Sequence, residues 1–328
     1  MQWRMLFLLA VCLLLTGCPK PSEEGKTVEG LTKITLVLNW YPEAEHGGYY
    51  AALVHGYYRD AGLDVTIIPG GKGVPVIAKV DRGQATFGVT NADQVLLKRA
   101  QEADVVAVMA PLQISPRCIM VHEETGIRTF NDLQNVTLYM SPTATWAKFL
   151  QKKLPLKNVT LVPSGSMSQF LNDKQFAIQG YVFSEPFVAS EKGAHPKSLM
   201  VSDLGFNPYT SVLITNRKAI QNNPELVKKM VAASIRGWKT YLKSPEKTNA
   251  HISKLNEAMG PKILAYGASA MKPLCLTTDV GEDNFGTMTL NRWQTLADQL
   301  VEFDVIKREN ANAKAAFSTD YLPLPRKE

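Results

Sequence analysis

Apolar residues along the chain fall into short β-branched runs, each followed by a stretch of helical periodicity. Residues 33–38 read as a buried strand, followed by a helix over 48–58 and a short strand over 64–68. The same reading gives a helix over 74–81, a strand over 86–89, a helix over 93–101 and a buried strand over 105–109. The pattern then restarts, with a strand at 136–140, a helix at 144–153 and strands at 159–162 and 177–183. After a strand at 211–215 the chain turns helical. Asn223-Pro224-Glu225 opens a long amphipathic helix to Leu242, and further helices are predicted over 247–259 and 291–303. Strands that alternate with helices argue for βαβ units and mainly parallel sheets. The expected fold class is therefore α/β, with two lobes around a central cleft. One lobe takes residues 31–112 plus 213–310, the other 113–212, and 311–328 form a C-terminal tail. Ligands of open α/β sheets sit beyond the carboxyl ends of the strands, so the loops there are the places to search.

The first residues follow another pattern. Arg4 precedes an unbroken apolar run over 5–15, and Leu15-Thr16-Gly17-Cys18 comes directly after it. The run is well short of the ~20 residues that cross a bilayer, but it suits the core of a signal peptide. The four residues that follow resemble the lipobox of bacterial lipoproteins. Residues 1–17 are thus expected to be a signal peptide, with Cys18 lipidated and residues 18–30, rich in Pro, Ser, Glu, Gly and Lys, a flexible tether. The expected location is the periplasm or cell surface, held to the membrane through the lipid on Cys18. The sorting between inner and outer membrane stays open.

Composition excludes several classes. The 328 residues are 45% hydrophobic and 20% charged, with 36 Lys+Arg against 30 Asp+Glu for a net +6. That is an ordinary globular balance, unlike a multi-span membrane protein, a disulfide scaffold or a fibre. The positive residues are scattered with no basic arm, so no nucleic acid partner is expected. Cys118 and Cys275 remain after the signal and the lipid have used the other two cysteines. Two buried free thiols are the simplest reading, and pairing stays open. No G-x-S-x-G, Walker A, H-E-x-x-H or C-x-x-C occurs, and the five histidines have no ligand-like spacing. No catalytic residue, metal or cofactor is therefore expected. The loop Gly70-Gly71-Lys72-Gly73 could offer its amides to a polar group, although a plain tight turn is the simpler reading.

One stretch carries a resemblance. Asn39-Trp40-Tyr41-Pro42-Glu43-Ala44-Glu45-His46-Gly47-Gly48-Tyr49-Tyr50-Ala51-Ala52, with Gly56-Tyr57-Tyr58-Arg59-Asp60-Ala61-Gly62-Leu63-Asp64-Val65 after it, resembles the substrate-binding proteins of ABC importers in the nitrate, sulfonate, taurine and thiamine-pyrimidine group. It is most similar to the thiamine-pyrimidine precursor branch (SsuA/THI5-like), in which the first strand ends N-W-x-P-x-x-x-H. Gly180-Tyr181-Val182-Phe183-Ser184-Glu185-Pro186-Phe187 and Arg292-Trp293 also fit, and the likeness runs from about Leu31 to Leu322. The resemblance implies a type II periplasmic-binding-protein fold, a small-molecule ligand, and partnership with an importer's permease and ATPase, the protein itself being a monomer. The same branch contains a pyrimidine-forming enzyme. Where that enzyme has its cofactor-binding lysine and its sacrificed histidine, this chain has Thr90 and Gln94. A threonine forms no Schiff base and a glutamine donates no imidazole, so no enzyme is expected.

The residues themselves suggest what the ligand is. Trp40, Tyr41, Tyr49 and Tyr181 lie in or beside loops that follow strands, where aromatic faces can stack on a flat ring. Tyr50 and Phe183 are read as core. Asn39, Asn91, Asp93, Ser184 and Glu185 supply donors and acceptors, and Glu43 or Glu185 can accept from the amine and protonated ring nitrogen of an aminopyrimidine. His46 and Gly47 complete the candidate set. A sulfonate or nitrate would want cations, and these loops bring Glu43, Glu45, Asp93 and Glu185 with little besides Lys72 and His46. A planar heteroaromatic is the expected ligand, with a small anion as the alternative.

Overall fold

The computed structural model describes residues 30–323. The expected signal peptide, Cys18 and all but the last residue of the tether lie outside that range. The first half of the chain runs β1 (Thr32–Val37), α1 (Gly47–Val54), α2 (Tyr57–Asp60), β2 (Leu63–Ile68), α3 (Val76–Asp81), β3 (Phe87–Thr90), α4 (Ala92–Arg99) and β4 (Val105–Met109). It continues through β5 (Arg117–His122), β6 (Thr137–Tyr139), α5 (Thr145–Lys153), β7 (Thr160–Val162), α6 (Met167–Asn172), β8 (Phe176–Tyr181), α7 (Glu185–Glu191) and β9 (Pro196–Met200). The last part is β10 (Val212–Asn216), α8 (Arg217–Asn222), α9 (Pro224–Lys243), α10 (Glu246–Leu255), α11 (Pro261–Cys275) and α12 (Leu290–Glu302).

The strands form two five-stranded sheets, ordered β2-β1-β3-β10-β4 and β7-β6-β8-β5-β9. Each is parallel except for one strand, β10 in the first and β5 in the second. The exception has a simple cause. β5 and β10 are the strands that enter directly from the crossings between the sheets, so they start at the cleft where the parallel strands end. Their first residues, not their last, face the cleft. Leu112 and Thr210, one on each crossing, pair as an isolated antiparallel bridge.

Several boundaries differ from the periodicity. The helix expected over 48–58 breaks at Gly56, whose φ of +77° is left-handed. The strand expected to reach residue 183 stops at Tyr181, because the Ser184 amide turns back to the Tyr181 carbonyl at 2.9 Å. Phe183 is thereby released to plug the core of the first sheet's helices, where it is 1% exposed. At α9 the cap reads as expected: the Asn223 side chain accepts from the Leu226 amide and Pro224 takes the first turn.

Residues 311–323 are not a free tail. Phe317 pairs with Ala107 at the edge strand β4 and stacks on Trp293 with rings 4° from parallel, while Ala313 and Ala316 are buried. α12 sits between the two sheets' helix layers. Gln299 and Arg292 reach the carbonyls of Gly205 and Asn207, and Phe149 of α5 packs edge-on against Phe303. Among the described residues no helix is long and apolar enough to cross a membrane.

Candidate functional site

The cleft between the sheets holds a cavity of about 200 Å³, lined by Asn39, Trp40, Glu43, Glu45, Arg117, Gln179, Gly180, Tyr181, Ser184 and Glu185. The first four come from the loop after β1, and the others from the cleft ends of β5 and β8 and the start of α7. The loop after β1 is shaped by tight packing around it. The Gly70 amide donates to the Trp40 carbonyl, and a Cβ at Gly70 would lie 2.2 Å from the Leu38 carbonyl oxygen. The glycine loop is therefore a close-packed buttress, with Gly71 against the Tyr41 ring.

Three carboxylates meet in this cavity. Glu43 is 6% exposed, and burial first, then the charges of Glu45 and Glu185, hold its carboxyl well above the usual carboxylate range. Burial also raises Glu185, whose Oε2 accepts the Tyr181 amide at 2.7 Å; that bond and nearby Arg117 oppose the rise. Glu45 is fully buried. Its Oε1 accepts from Asn39 Nδ2 at 2.9 Å and lies 3.0 Å from His46 Nε2, while its Oε2 has no partner. His46 Nε2 is also 3.0 Å from Asn39 Oδ1, so two acceptors face that nitrogen and select the Nε2–H form. His46 and Gly47 thus lie behind the cavity wall. A Cβ on Gly47 would overlap the Tyr241 ring at 2.1 Å.

The remaining predicted site residues divide. Trp40 and Tyr41 are 42% and 51% exposed and touch edge-to-face at 5.3 Å at the cleft mouth, with Trp40 alone of the two lining the cavity. Tyr49 is not a stacking face. It is fully buried against Trp238, and its hydroxyl donates to the Ser211 carbonyl at 2.8 Å, where Ser211 holds a left-handed φ of +53°. Its place beside the loop after β1 suggests a ring face, but α1 turns Tyr49 inward. Asn91 and Asp93 work across the cleft rather than in the cavity. Asn91 Nδ2 approaches the Tyr181 hydroxyl at 3.4 Å, and Asp93 Oδ2 accepts from Thr145 at the start of α5, the helix on the opposite sheet. Asp93 Oδ1 is buried without a partner. Tyr50 and Phe183 are core, and Cys118 and Cys275 are buried free thiols.

Arg117 and Gln179 were missed. Both stand at the cleft, Arg117 as the first residue of β5 and paired in register with Tyr181 of β8. Searching the carboxyl ends of strands overlooks an antiparallel strand, whose cleft end is its amino end. The crossing that precedes it, at residues 112–116, was the available signal. Among the described residues no group of three or more His, Cys, Asp or Glu is placed to hold a metal. Thr90 and Gln94 line a neighbouring groove, with Gln94 Nε2 on Asp93 Oδ2 at 3.1 Å.

Comparison with known proteins agrees with this layout. The chain is 26% identical over 268 residues to the riboflavin-binding protein RibY of Chloroflexus aurantiacus, covering 75% of this chain and 76% of that one. It is 22% identical over 328 residues to the formylaminopyrimidine-binding protein of Halalkalibacterium halodurans, covering 97% and 98%. The periplasmic aliphatic sulphonate binding protein SsuA from Escherichia coli superposes with a TM-score of 0.65 at 16% identity, over 84% of this chain and 89% of that one. The fold is that of the periplasmic binding proteins. The NMT1/THI5-like family model matches residues 43–248, and the chain belongs to that family.

Proposed function

We propose that the protein is the substrate-binding component of an ABC importer and that it captures a small, flat nitrogen heterocycle, such as a thiamine pyrimidine precursor, without changing it chemically. The observation that carries this reading is the meeting of Glu43, Glu45 and Glu185 in one cleft with Trp40 at its mouth. Carboxylates in a partly dehydrated cleft favour a ligand that brings N–H donors or a positive charge, and an indole face favours a flat one. A sulfonate would meet these acids as a like charge. The cavity is smaller than the roughly 300–1,000 Å³ of drug-sized ligand sites, which suits one ring with short substituents better than a three-ring flavin. The two curated relatives are both named for nitrogen heterocycles.

The lobes supply opposite walls of the cavity, so closing them around the ring completes the site, and the closed form is the one an importer would accept. Calorimetry with an aminopyrimidine, riboflavin and an alkanesulfonate tests the reading. The aminopyrimidine should bind and be recovered intact, and the sulfonate should give no heat. Sulfonate binding alone, or turnover of the pyrimidine, overturns it.

Export and anchoring belong to the same proposal. An apolar run ending in Leu15-Thr16-Gly17-Cys18 supports a lipid on Cys18 that keeps the protein at the membrane outside the cytoplasm. Cys18→Ala should move the protein from the membrane to the soluble fraction. A variant that stays membrane-bound and acylated would remove the basis for this part.

A further inference from the structure

The cavity is not uniformly acidic. Arg117 stands in the same wall as Glu43 and Glu185, and among the described residues its side-chain hydrogen bonds go to neutral groups, Gln179 and Tyr181. Its guanidinium lies over the Tyr181 ring at 4.7 Å and the Trp146 ring at 4.9 Å. One terminal nitrogen donates to Gln179 Oε1 at 3.3 Å and the other to the Tyr181 hydroxyl at 2.9 Å. A guanidinium has five N–H donors in a fixed plane, and these two neutral acceptors leave the others unspent. Two aromatic faces and two hydrogen bonds fix the plane before any ligand arrives, so an incoming acceptor meets a donor that need not be ordered.

Resting on the reading of the cleft as a heterocycle site, we propose that Arg117 is a specificity residue that reads an oxygen acceptor on the ligand, so that the cleft selects rings carrying both an amine edge and a carbonyl-type oxygen. The amine edge goes to the carboxylates after β1 and at the start of α7, and the oxygen goes to the guanidinium. Such a divided wall rejects simple anions, which the acids repel, and ranks rings lacking the oxygen below those having it, because they leave a preset cation without its acceptor.

The test compares cytosine, an amino-oxo ring, with 4-aminopyrimidine, which lacks the oxygen. Wild type should bind cytosine at least about tenfold more tightly, in keeping with a hydrogen bond from a charged donor. Arg117→Met keeps the apolar stem over the two rings and removes the charge. It should abolish the difference, bringing the affinity for cytosine down to that for 4-aminopyrimidine. Arg117→Lys, which keeps the charge but not the planar fork, should retain part of it and serves if the methionine variant fails to fold. Equal weakening of both rings would make Arg117 a strut for Tyr181 and Trp146 and overturn the proposal. Equal affinity of wild type for both rings overturns it too while leaving the heterocycle reading intact, and wild-type binding of neither ring sinks both.

Discussion

Glu43→Gln should make the ligand-free protein more stable at neutral pH and at the same time a much poorer binder. Glu43 is nearly fully buried beside two other acids, with its carboxyl held well above the usual 4.5 by burial first and then by Glu45 and Glu185. A group whose folded value is raised contributes stability fully below its unfolded value, and that contribution is lost as pH rises through the folded value. Wild-type Tm without ligand should therefore fall as pH climbs from the ordinary carboxylate value through the raised one. Glu185, also raised, acts in the same direction. Glutamine keeps the shape and removes the ionisation, so the variant's Tm should lie above wild type at about pH 8 and the pH slope should flatten. Affinity for a protonated aminopyrimidine should drop by about ten- to a hundredfold, the worth of a hydrogen bond to a charged group. Scanning calorimetry across pH, with and without the ring, reads both effects. A variant with the wild-type pH slope would show that Glu43 is not the group that titrates.

The second large effect concerns how the loop bearing these acids is held in place. α1, which follows that loop directly, crosses α9 at a contact made of glycines and alanine. A Cβ on Gly237 of α9 would lie 2.2 Å from the Gly48 carbonyl oxygen and 2.7 Å from Ala52 Cβ, and a Cβ on Gly48 would overlap the Trp238 ring at 2.0 Å. Ordinary helices gain from glycine-to-alanine changes through the unfolded chain. Here the clash is with backbone, so the helices must separate. Gly237→Ala should cost about 1–3 kcal/mol or more by overpacking, measured as a loss of denaturation midpoint. Because α1 continues from the loop of Glu43 and Glu45, affinity should fall together with stability. An exposed glycine with open space around it, Gly281, should accept alanine with little change and serves as the control.

The site was partly legible in the residues themselves. Asn39, Trp40, Glu43, Tyr181, Ser184 and Glu185 were found because they follow strands whose carboxyl ends reach the cleft. Tyr49 lies on α1, whose first six residues are all buried and none of whose residues lines the cavity, so its ring joins the core. The place of Asp93 after β3 predicts a ligand contact, but the structure turns it to another partner. Its partner Thr145 lies 52 residues away on the other sheet, and no local pattern reveals a hydrogen bond across the cleft.

What the amino-acid order determined by itself was local. Hydrophobic period set the strands and helices, the Asn-Pro pair set the start of α9, and the run of aromatic and acidic residues after β1 marked one wall of the cleft. The tertiary structure decided strand direction and everything that depends on it. A strand that enters from a crossing must run opposite to its neighbours, and this alone carries Arg117 to the cleft beside Tyr181. It also decided which charges share a dehydrated space, because Glu43 and Glu185 lie 142 positions apart and act on each other only once the two sheets close over them. Side-chain period is a property of the backbone and is written in the sequence; burial and through-space charge belong to the packed molecule.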